Sequence, residues 1–400
     1  MTKSDDKRVP ALRFKGFTDE WEQRKLGELV TMHARIGWQG LRKSEFITKG
    51  NFYILTGTDF KNGSIDFNKA SFIGKERYDQ DPHIQIKNKD ILLTKDGTIG
   101  KVAYIDTLKK PATLNAGVYV IRPIYKSTIN QKYLFHYLST FRLLKYANQT
   151  ATGGTIKHLN QKILVSFPIK TTSFIEEGRI ADILDLINKL ITLQQRKADD
   201  YFQYKTQLIN TIFANKNWQI IKLRDVLSVP KEELANVTTK SQIMTVKLNL
   251  GGVINGANRD TLNLSATKYY IRHAGQFIFG KQNFFNGSMA IIPKAMDGKV
   301  TSQDVPALNI NNEKINSKFL LYYLSRRNFY KHTERFATGT GSKRLHVDTL
   351  LNLKIRIPDI SYQNQIVSTL TLLDKKLQLE TAKLNKLKQL KHFLLQNMFI

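Results

Sequence analysis

Apolar positions along the chain follow two regimes. Short runs between glycine turns, at 52–55, 90–94 and 117–122 in the first half and at 276–279 and 290–292 in the second, have strand length and β-branched or aromatic content. From Asp182 to Phe213, and again from Ser368 onward, Gly and Pro disappear and apolar residues recur at helical spacing, which predicts two long helices. Alternate steps of four and three from Ile180 give Ile180, Leu184, Ile187, Ile191, Gln194, Ala198, Tyr201, Lys205, Leu208 and Ile212, with eight of the ten apolar. That is the spacing of a coiled-coil seam.

The chain repeats itself once. Lys132-Tyr-Leu-Phe-His-Tyr-Leu-Ser139 matches Lys318-Phe-Leu-Leu-Tyr-Tyr-Leu-Ser325 at an offset of 186 (318 − 132), and Ala151-Thr-Gly-Gly-Thr-Ile-Lys-His-Leu159 matches Ala337-Thr-Gly-Thr-Gly-Ser-Lys-Arg-Leu345 at the same offset (337 − 151). Shifting the seam by 186 gives Ile366, Leu370, Leu373, Leu377, Glu380, Leu384, Leu387, Lys391, Leu394 and Met398, so its polar interruptions fall at the same steps in both helices. Polar residues inside a seam fix register at some cost in stability. The helices therefore read as mutual partners in an antiparallel coiled coil, the alternative being two surface helices packed on their own domains. Upstream, Trp21-x-x-x-Lys25-Leu26 matches Trp218-x-x-x-Lys222-Leu223 at the larger offset of 197 (218 − 21), so the interiors of the two globular segments differ in length. The frame is kept while its filling changes. Phe399 falls in repeat register with Phe213, which places the end of the chain to meet its beginning. The expected organisation is an arm at 1–20, a globular domain at 21–172, a long helix at 173–215, a second domain at 216–361 and a second long helix at 362–400. The fold class is α+β: two mixed α/β domains related by a pseudo-two-fold and separated by the paired helices.

Charge adds a partner. Lys and Arg number 62 against 33 Asp and Glu, a net charge of +29, while hydrophobic residues make up 41% of the 400. Folded basic domains with this surplus point to a polyanion, nucleic acid first, with an anionic membrane surface or an acidic protein as alternatives. From residue 180 to 212 a helix rises roughly 48 Å, enough to set two DNA readers one duplex turn of about 34 Å apart. The chain has no cysteine and the His residues form no HxxxH pair, so no metal site is predicted. The first residues lack a signal-type apolar core and no run approaches membrane-spanning length, so a cytoplasmic location without membrane contact is expected.

Catalytic motifs are missing. No two prolines are adjacent, which excludes the NPPY or DPPY motif of amino-methyltransferases. Gly339-Thr-Gly-Ser-Lys343 lacks both the spacing and the preceding strand of a P-loop. No catalytic residue is assigned, and no cofactor is expected on this chain.

Candidate DNA contacts fall into two groups. Thr152, Gly153, Gly154, Thr155, Lys157 and His158, with Thr338, Gly339, Gly341, Ser342, Lys343 and Arg344, bring small residues, hydroxyls and cations onto one loop per half, where N–H groups can meet a phosphate. The alternative is a flexible turn with solvated cations. Base readers must lie in the unlike interiors, because a repeated frame cannot tell two half-sites apart. Lys95, Asp96, Thr98 and Lys101 flank the first glycine turn, and Lys281, Gln282, Asn283 and Asn286 flank the second; Lys can bond guanine, and Asn or Gln can bond adenine bidentately. Arg35, Trp38, Gln39, Arg42, Arg77, Arg259 and Arg272 are further candidates, each with ordinary surface charge as the alternative.

Taken in order, the opening Pro10-Ala-Leu-Arg-Phe-Lys-Gly-Phe-Thr-Asp-Glu-Trp-Glu-Gln-Arg-Lys-Leu-Gly27, the turn Asp90-Ile-Leu-Leu-Thr-Lys-Asp-Gly-Thr-Ile-Gly100, the twin Ala-Thr-Gly segments and the two long helices resemble the specificity subunit of Type I restriction-modification systems, HsdS. The likeness spans essentially the whole chain. It implies two target-recognition domains reading a split double-stranded DNA site around an unread spacer. It further implies two methyltransferase (HsdM) subunits that modify adenine with S-adenosylmethionine, and restriction (HsdR) subunits that use ATP and Mg. The second half departs from the first at its turn, which reads Phe279-Gly-Lys-Gln-Asn-Phe-Phe-Asn-Gly-Ser288. A stand-alone architectural or regulatory DNA-binding protein, and a solitary modification enzyme, are the other readings.

Overall fold

The computed structural model describes residues 9–36, 41–150, 158–256, 267–339 and 342–399. The chain packs as two compact units, one formed by 1–194 with 383–400 and the other by 195–382.

In the first unit, strand Glu22–Lys25 pairs antiparallel with Pro168–Thr171, so the residues that open the unit are tied to those that lead into the first long helix. Beside this pair lies a four-stranded antiparallel sheet ordered Val30–Ala34, Val118–Pro123, Ile91–Thr94, Val102–Tyr104. The strand Ile91–Thr94 reads as an unbroken apolar run because both faces are covered. Ile91 and Leu93 enter one core with Trp21, Tyr133 and Leu184, while Leu92 enters another with Leu55, Ala103 and Leu114. A smaller sheet, with Phe52–Leu55 antiparallel to Ser71–Ile73 and parallel to Ala112–Leu114, covers the second face.

The segment Lys132–Ser139 falls on helix Gln131–Leu138, capped by the Asn130 side chain, which accepts from the N–H groups of Lys132 and Tyr133 at 3.0 and 3.2 Å. The helix docks on the first long helix through Asp185, which accepts from Lys132 Nζ at 2.5 Å and bonds His136 Nε2 at 2.8 Å. Burial pushes the Asp185 carboxyl up, but these two partners outweigh it and bring it down to about 2.

The second unit rebuilds this frame. Gln219–Lys222 pairs with Lys354–Ile357, and a four-stranded sheet runs Leu227–Ser228, Ala307–Ile310, Phe277–Phe279, Met289–Ile291. Helix Ser317–Leu324 takes its cap from Asn316, the repeat equivalent of Asn130 at the offset of 186. Tyr137 Oη accepts from the Lys170 N–H at 3.3 Å, and Tyr323 Oη accepts from the Arg356 N–H at 3.1 Å, both partners again at that offset. The interiors differ. Here they consist of a three-stranded sheet, Leu234–Ala235, Tyr269–Ile271 and Val300–Ser302, and the pair Met244–Val246 with Val253–Asn255.

The long helices are Phe174–Ile212 and Ile360–Asn397, and they pack together. The first begins before the glycine-free run, carrying Gly178 in its interior. All twenty seam positions are buried or half-buried, while Leu186, Leu193, Phe202, Leu372 and Leu379 outside the seam are exposed. Within the second unit Lys197 lies 3.4 Å from Glu380, Lys376 sits over the Tyr201 ring and Lys205 pairs with Asp374. One number rises as the other falls, so the helices run antiparallel.

Each unit is completed by the end of a long helix. Phe399 packs at 5.4 and 5.3 Å from Tyr133 and Tyr137, and Phe213 at 5.3 and 5.3 Å from Phe319 and Tyr323. The Leu12 N–H donates to the Asn397 carbonyl at 2.8 Å, so the arm does meet the end of the second helix.

One frame bond uses a different side chain in each unit. Glu177 accepts from the Asn130 N–H at 2.8 Å, and its repeat equivalent Gln363 accepts from the Asn316 N–H at 2.9 Å. Burial pushes the Glu177 carboxyl up from 4.5 to about 7. The folded chain therefore holds this proton more tightly than the unfolded chain, and stability from this group is full below the unfolded value of 4.5 and lost as pH rises through about 7. Glu177→Gln should remove that loss. Denaturant unfolding at pH 8 is expected to show the variant more stable by up to roughly 3 kcal/mol, with little difference near pH 4; a variant less stable at pH 8 would mean that the bond needs the charged carboxylate.

Candidate nucleic-acid interface

The first glycine turn is closed by a buried threonine. Thr94 Oγ1 donates to the Thr98 carbonyl at 2.5 Å and accepts from the Lys101 N–H at 2.9 Å. Gly100 sits at φ +79°, and a Cβ there would come within 2.5 Å of the Leu144 side chain, so the turn requires glycine. Thr98 and Lys101 are exposed; Lys95 is half-buried, with its ammonium 5.2 Å from the centre of the Tyr119 ring.

The second turn is built otherwise. Phe284 and Phe285 enter the interior, and Gly287 at φ +74° ends the short 3-10 helix Phe284–Asn286. Asn286 Nδ2 donates to Asn283 Oδ1 at 3.2 Å while its own oxygen accepts from Lys331 Nζ at 2.9 Å. These two amides are partly engaged. Gln282 and the ammonium of Lys281 have no hydrogen-bond partner among the described residues.

Sequence reasoning kept the turns and the Ala-Thr-Gly loops apart, and the structure joins them. The Lys95 carbonyl accepts from the Leu159 N–H at 2.9 Å, and the Lys281 carbonyl accepts from the Leu345 N–H at 2.8 Å. Both partners stand at the repeat offset, so one backbone bond in each unit sets the end of the loop against the turn. Coincidence of the offsets for turn and loop was the available signal. His158 pairs with Asp96 of the first turn. Arg344, at the position of His158, instead pairs with Asp304 at 3.3 Å, and Lys343 lies 3.0 Å from Glu334. Asp304 and Glu334 carried no sequence signal. The second loop is pinched by reciprocal backbone bonds between Thr338 and Arg344, at 3.0 and 2.8 Å. Gly339 turns at φ +116°, where a Cβ would meet the Ser342 carbonyl at 2.7 Å. Ser342 is exposed.

Two candidates are corrected. Arg35 is 1% exposed, and its guanidinium serves the Leu114 carbonyl at 2.8 Å, Gln80 Oε1 at 3.1 Å and Thr113 Oγ1 at 3.3 Å. Arg272 is likewise buried, donating from Nε to Thr301 Oγ1 at 2.8 Å. Both hold strands together, and a buried guanidinium engaged this way does not reach a duplex. Arg77 is tied to Glu45, through Nε at 2.9 Å, whereas Arg42 is exposed. Trp38, Gln39, Thr152, Gly153, Gly154, Thr155, Lys157, Arg259 and Gly341 lie outside the described residues.

Among the described residues no group of three His, Cys, Asp or Glu is placed to hold a metal ion, and no helix is long and apolar enough to cross a membrane.

Comparisons with known proteins agree with this duplicated arrangement. The Type I restriction modification DNA specificity domain matches twice, over residues 18–200 and 215–389. The MjaVIII specificity subunit of Methanocaldococcus jannaschii is 19% identical, covering 93% of this chain and 90% of that protein. The EcoR124I/EcoR124II specificity subunit of Escherichia coli is 25% identical over 45% of this chain and 43% of its own length. The crystal structure of the Type I S subunit from M. genitalium has a similar fold, with a TM-score of 0.62 at 14% identity over 98% of this chain and 99% of that one. A chain from a type I R-M system solved to explain its assembly and conformational transition gives 0.54 at 14% identity over 95% and 97%. With both halves matched, the chain belongs to the Type I restriction-modification DNA specificity subunits.

Proposed function

We propose that this specificity subunit reads two unlike half-sites of double-stranded DNA around an unread spacer, and that it carries two methyltransferase subunits and recruits restriction subunits to them. The carrying observation is a frame whose helix caps, tyrosine-to-backbone bonds and loop-to-turn bonds recur at one offset around unlike interiors. Equal frames can present readers in equivalent ways; unequal interiors give each reader its own bases. Chemistry belongs to the partners in this reading, with adenine methylation from S-adenosylmethionine on the methyltransferase and ATP- and Mg-dependent cleavage on the restriction subunits.

The long helices supply the support for two equal partners. Leu186 and Leu193 are 51% and 64% exposed on the first helix, and their repeat equivalents Leu372 and Leu379 are 67% and 52% exposed on the second. Each compact unit thus offers the same unsatisfied apolar pair, as two copies of one protein would need. Leu193→Glu and Leu379→Glu should each remove one methyltransferase subunit, read by native mass spectrometry as a complex one partner lighter. Retention of both partners by the double variant would place docking elsewhere.

The function is tested by assembling the chain with its methyltransferase and mapping methylated adenines. Exchanging residues 21–170 for another reader should change one half of the split site and leave the other; a change in both would defeat the independent readers. Full site-specific binding by the isolated chain would favour a stand-alone DNA-binding protein. Lys343→Ala should weaken target binding and reduce its salt dependence by about one phosphate contact without changing the bases recognised, whereas an altered target would assign Lys343 to base reading.

A further inference from the structure

Carboxylates are scarce in this chain, 33 against 62 Lys and Arg, so even with every acid paired one to one 29 cations (62 − 33) would have none. All three cationic or potentially cationic side chains described at the ends of the Ala-Thr-Gly loops nevertheless have one. His158 is held by Asp96, Lys343 by Glu334 and Arg344 by Asp304. Lys95, Lys101 and Lys281 on the neighbouring glycine turns make no ion pair among the described residues.

The pairing is not inherited from the repeat. His158 and Arg344 occupy equivalent positions at the offset of 186, but their acids come from different elements. Asp96 belongs to the glycine turn, where the second unit has Gln282. Asp304 precedes strand Ala307–Ile310; its carbonyl accepts from the Lys281 N–H as that of Gly117 accepts from the Lys95 N–H, so the first unit has Gly117 there. Two unrelated carboxylates have been brought to the same cation position. Structural need is a poor reason for this, because a backbone bond, Leu159 to Lys95 or Leu345 to Lys281, already ties each loop to its turn. Every one of the six side chains is between 38% and 55% exposed, where an ion pair adds little to folding and is easily exchanged for another partner.

We propose that Asp96, Asp304 and Glu334 are electrostatic latches that make the loop cations available to DNA phosphate only when the duplex seats fully on the reader. This rests on the reading of the loops as phosphate contacts. A phosphate meeting the loop must displace a carboxylate from its cation. On non-target DNA, bound through charge alone, that exchange returns nothing. On the target, base contacts hold the duplex close enough for phosphates to take over the cations. The unlatched lysines of the turns provide standing attraction, and the latched cations add theirs selectively. Their role is to set the ratio of specific to non-specific binding, which is the quantity a site-selecting protein works by.

The test uses the complex with its methyltransferase partner and two duplexes, the mapped target and a scrambled one, titrated across salt from about 50 to 200 mM. Asp304→Asn and Glu334→Gln, and Asp96→Asn in buffer acidic enough to charge a histidine, should each raise affinity for the scrambled duplex about threefold, steepen its salt dependence by up to one phosphate contact per freed cation, and change target affinity less. The triple variant should lose about tenfold in specificity ratio or more. Asp304→Asn combined with Arg344→Gln should return the scrambled duplex to the parent affinity, since the freed cation is gone. Equal weakening on both duplexes, or an unchanged salt slope in variants that melt like the parent, would reduce the carboxylates to loop supports and overturn the proposal. A parent complex that prefers no duplex at all would instead defeat the underlying reading of DNA specificity, a result distinct from failure of the latches.

Discussion

The aromatic contact of Phe399 with Tyr133 and Tyr137, and its counterpart of Phe213 with Phe319 and Tyr323, is the constraint on which the architecture depends. Neither core is closed by residues local to its own sheet. The first needs Leu394, Met398 and Phe399 beside Ile180, Leu184 and Ile187; the second needs Phe213 beside Ile366 and Leu370. Burying such side chains stabilises by roughly 1.5–3 kcal/mol each. The readers are thereby fixed to the helices, and the helices to each other, by the same apolar groups. A seam that served only the helices could slip by a heptad; one that also fills two cores cannot.

Acids are deployed where they lock that arrangement. Glu176, buried, takes Arg13 of the arm at 2.7 and 2.8 Å, Asp185 takes Lys132 and His136, and Asp90 takes Arg122 at 2.7 Å. On the second helix Asp374 takes Lys205 and the hydroxyl of Tyr322 at 2.5 Å. These acids sit at joints between elements. The net charge of +29 is what a protein that must approach a polyanion requires.

What could be read from the sequence was whatever obeys a period or an offset. The seam positions were legible because a helix buries every third or fourth residue, and the frame was legible because the segments 132–139 and 318–325, which form the docking helices, recur at one fixed offset. The first long helix starts at Phe174, beside the 173 expected, although its periodic run begins only at Asp182. Gly178 stands inside it because the flanking Glu176 and Glu177 are fastened by Arg13 and by the Asn130 N–H, which offsets the roughly 1 kcal/mol an interior glycine costs. Burial of Arg35 and Arg272 was illegible for a different reason. Their acceptors, Leu114 and Thr301, are far away along the chain, and nothing in a local pattern distinguishes an arginine that braces strands from one that faces solvent. Asp304 and Glu334 escaped notice because their meaning arises only when distant loops meet.

The two units also differ in how their residues are strung along the chain. The second is one continuous stretch, 195–382, whereas the first is interrupted and takes its last piece from 383–400. On a ribosome, where domains fold as they emerge, the earlier-made reader must wait with its core open while the later-made one closes. Synthesis order and folding order are thus inverted, and the nascent first reader, with the places of Leu394, Met398 and Phe399 still vacant, is the part of this protein most exposed to misassembly.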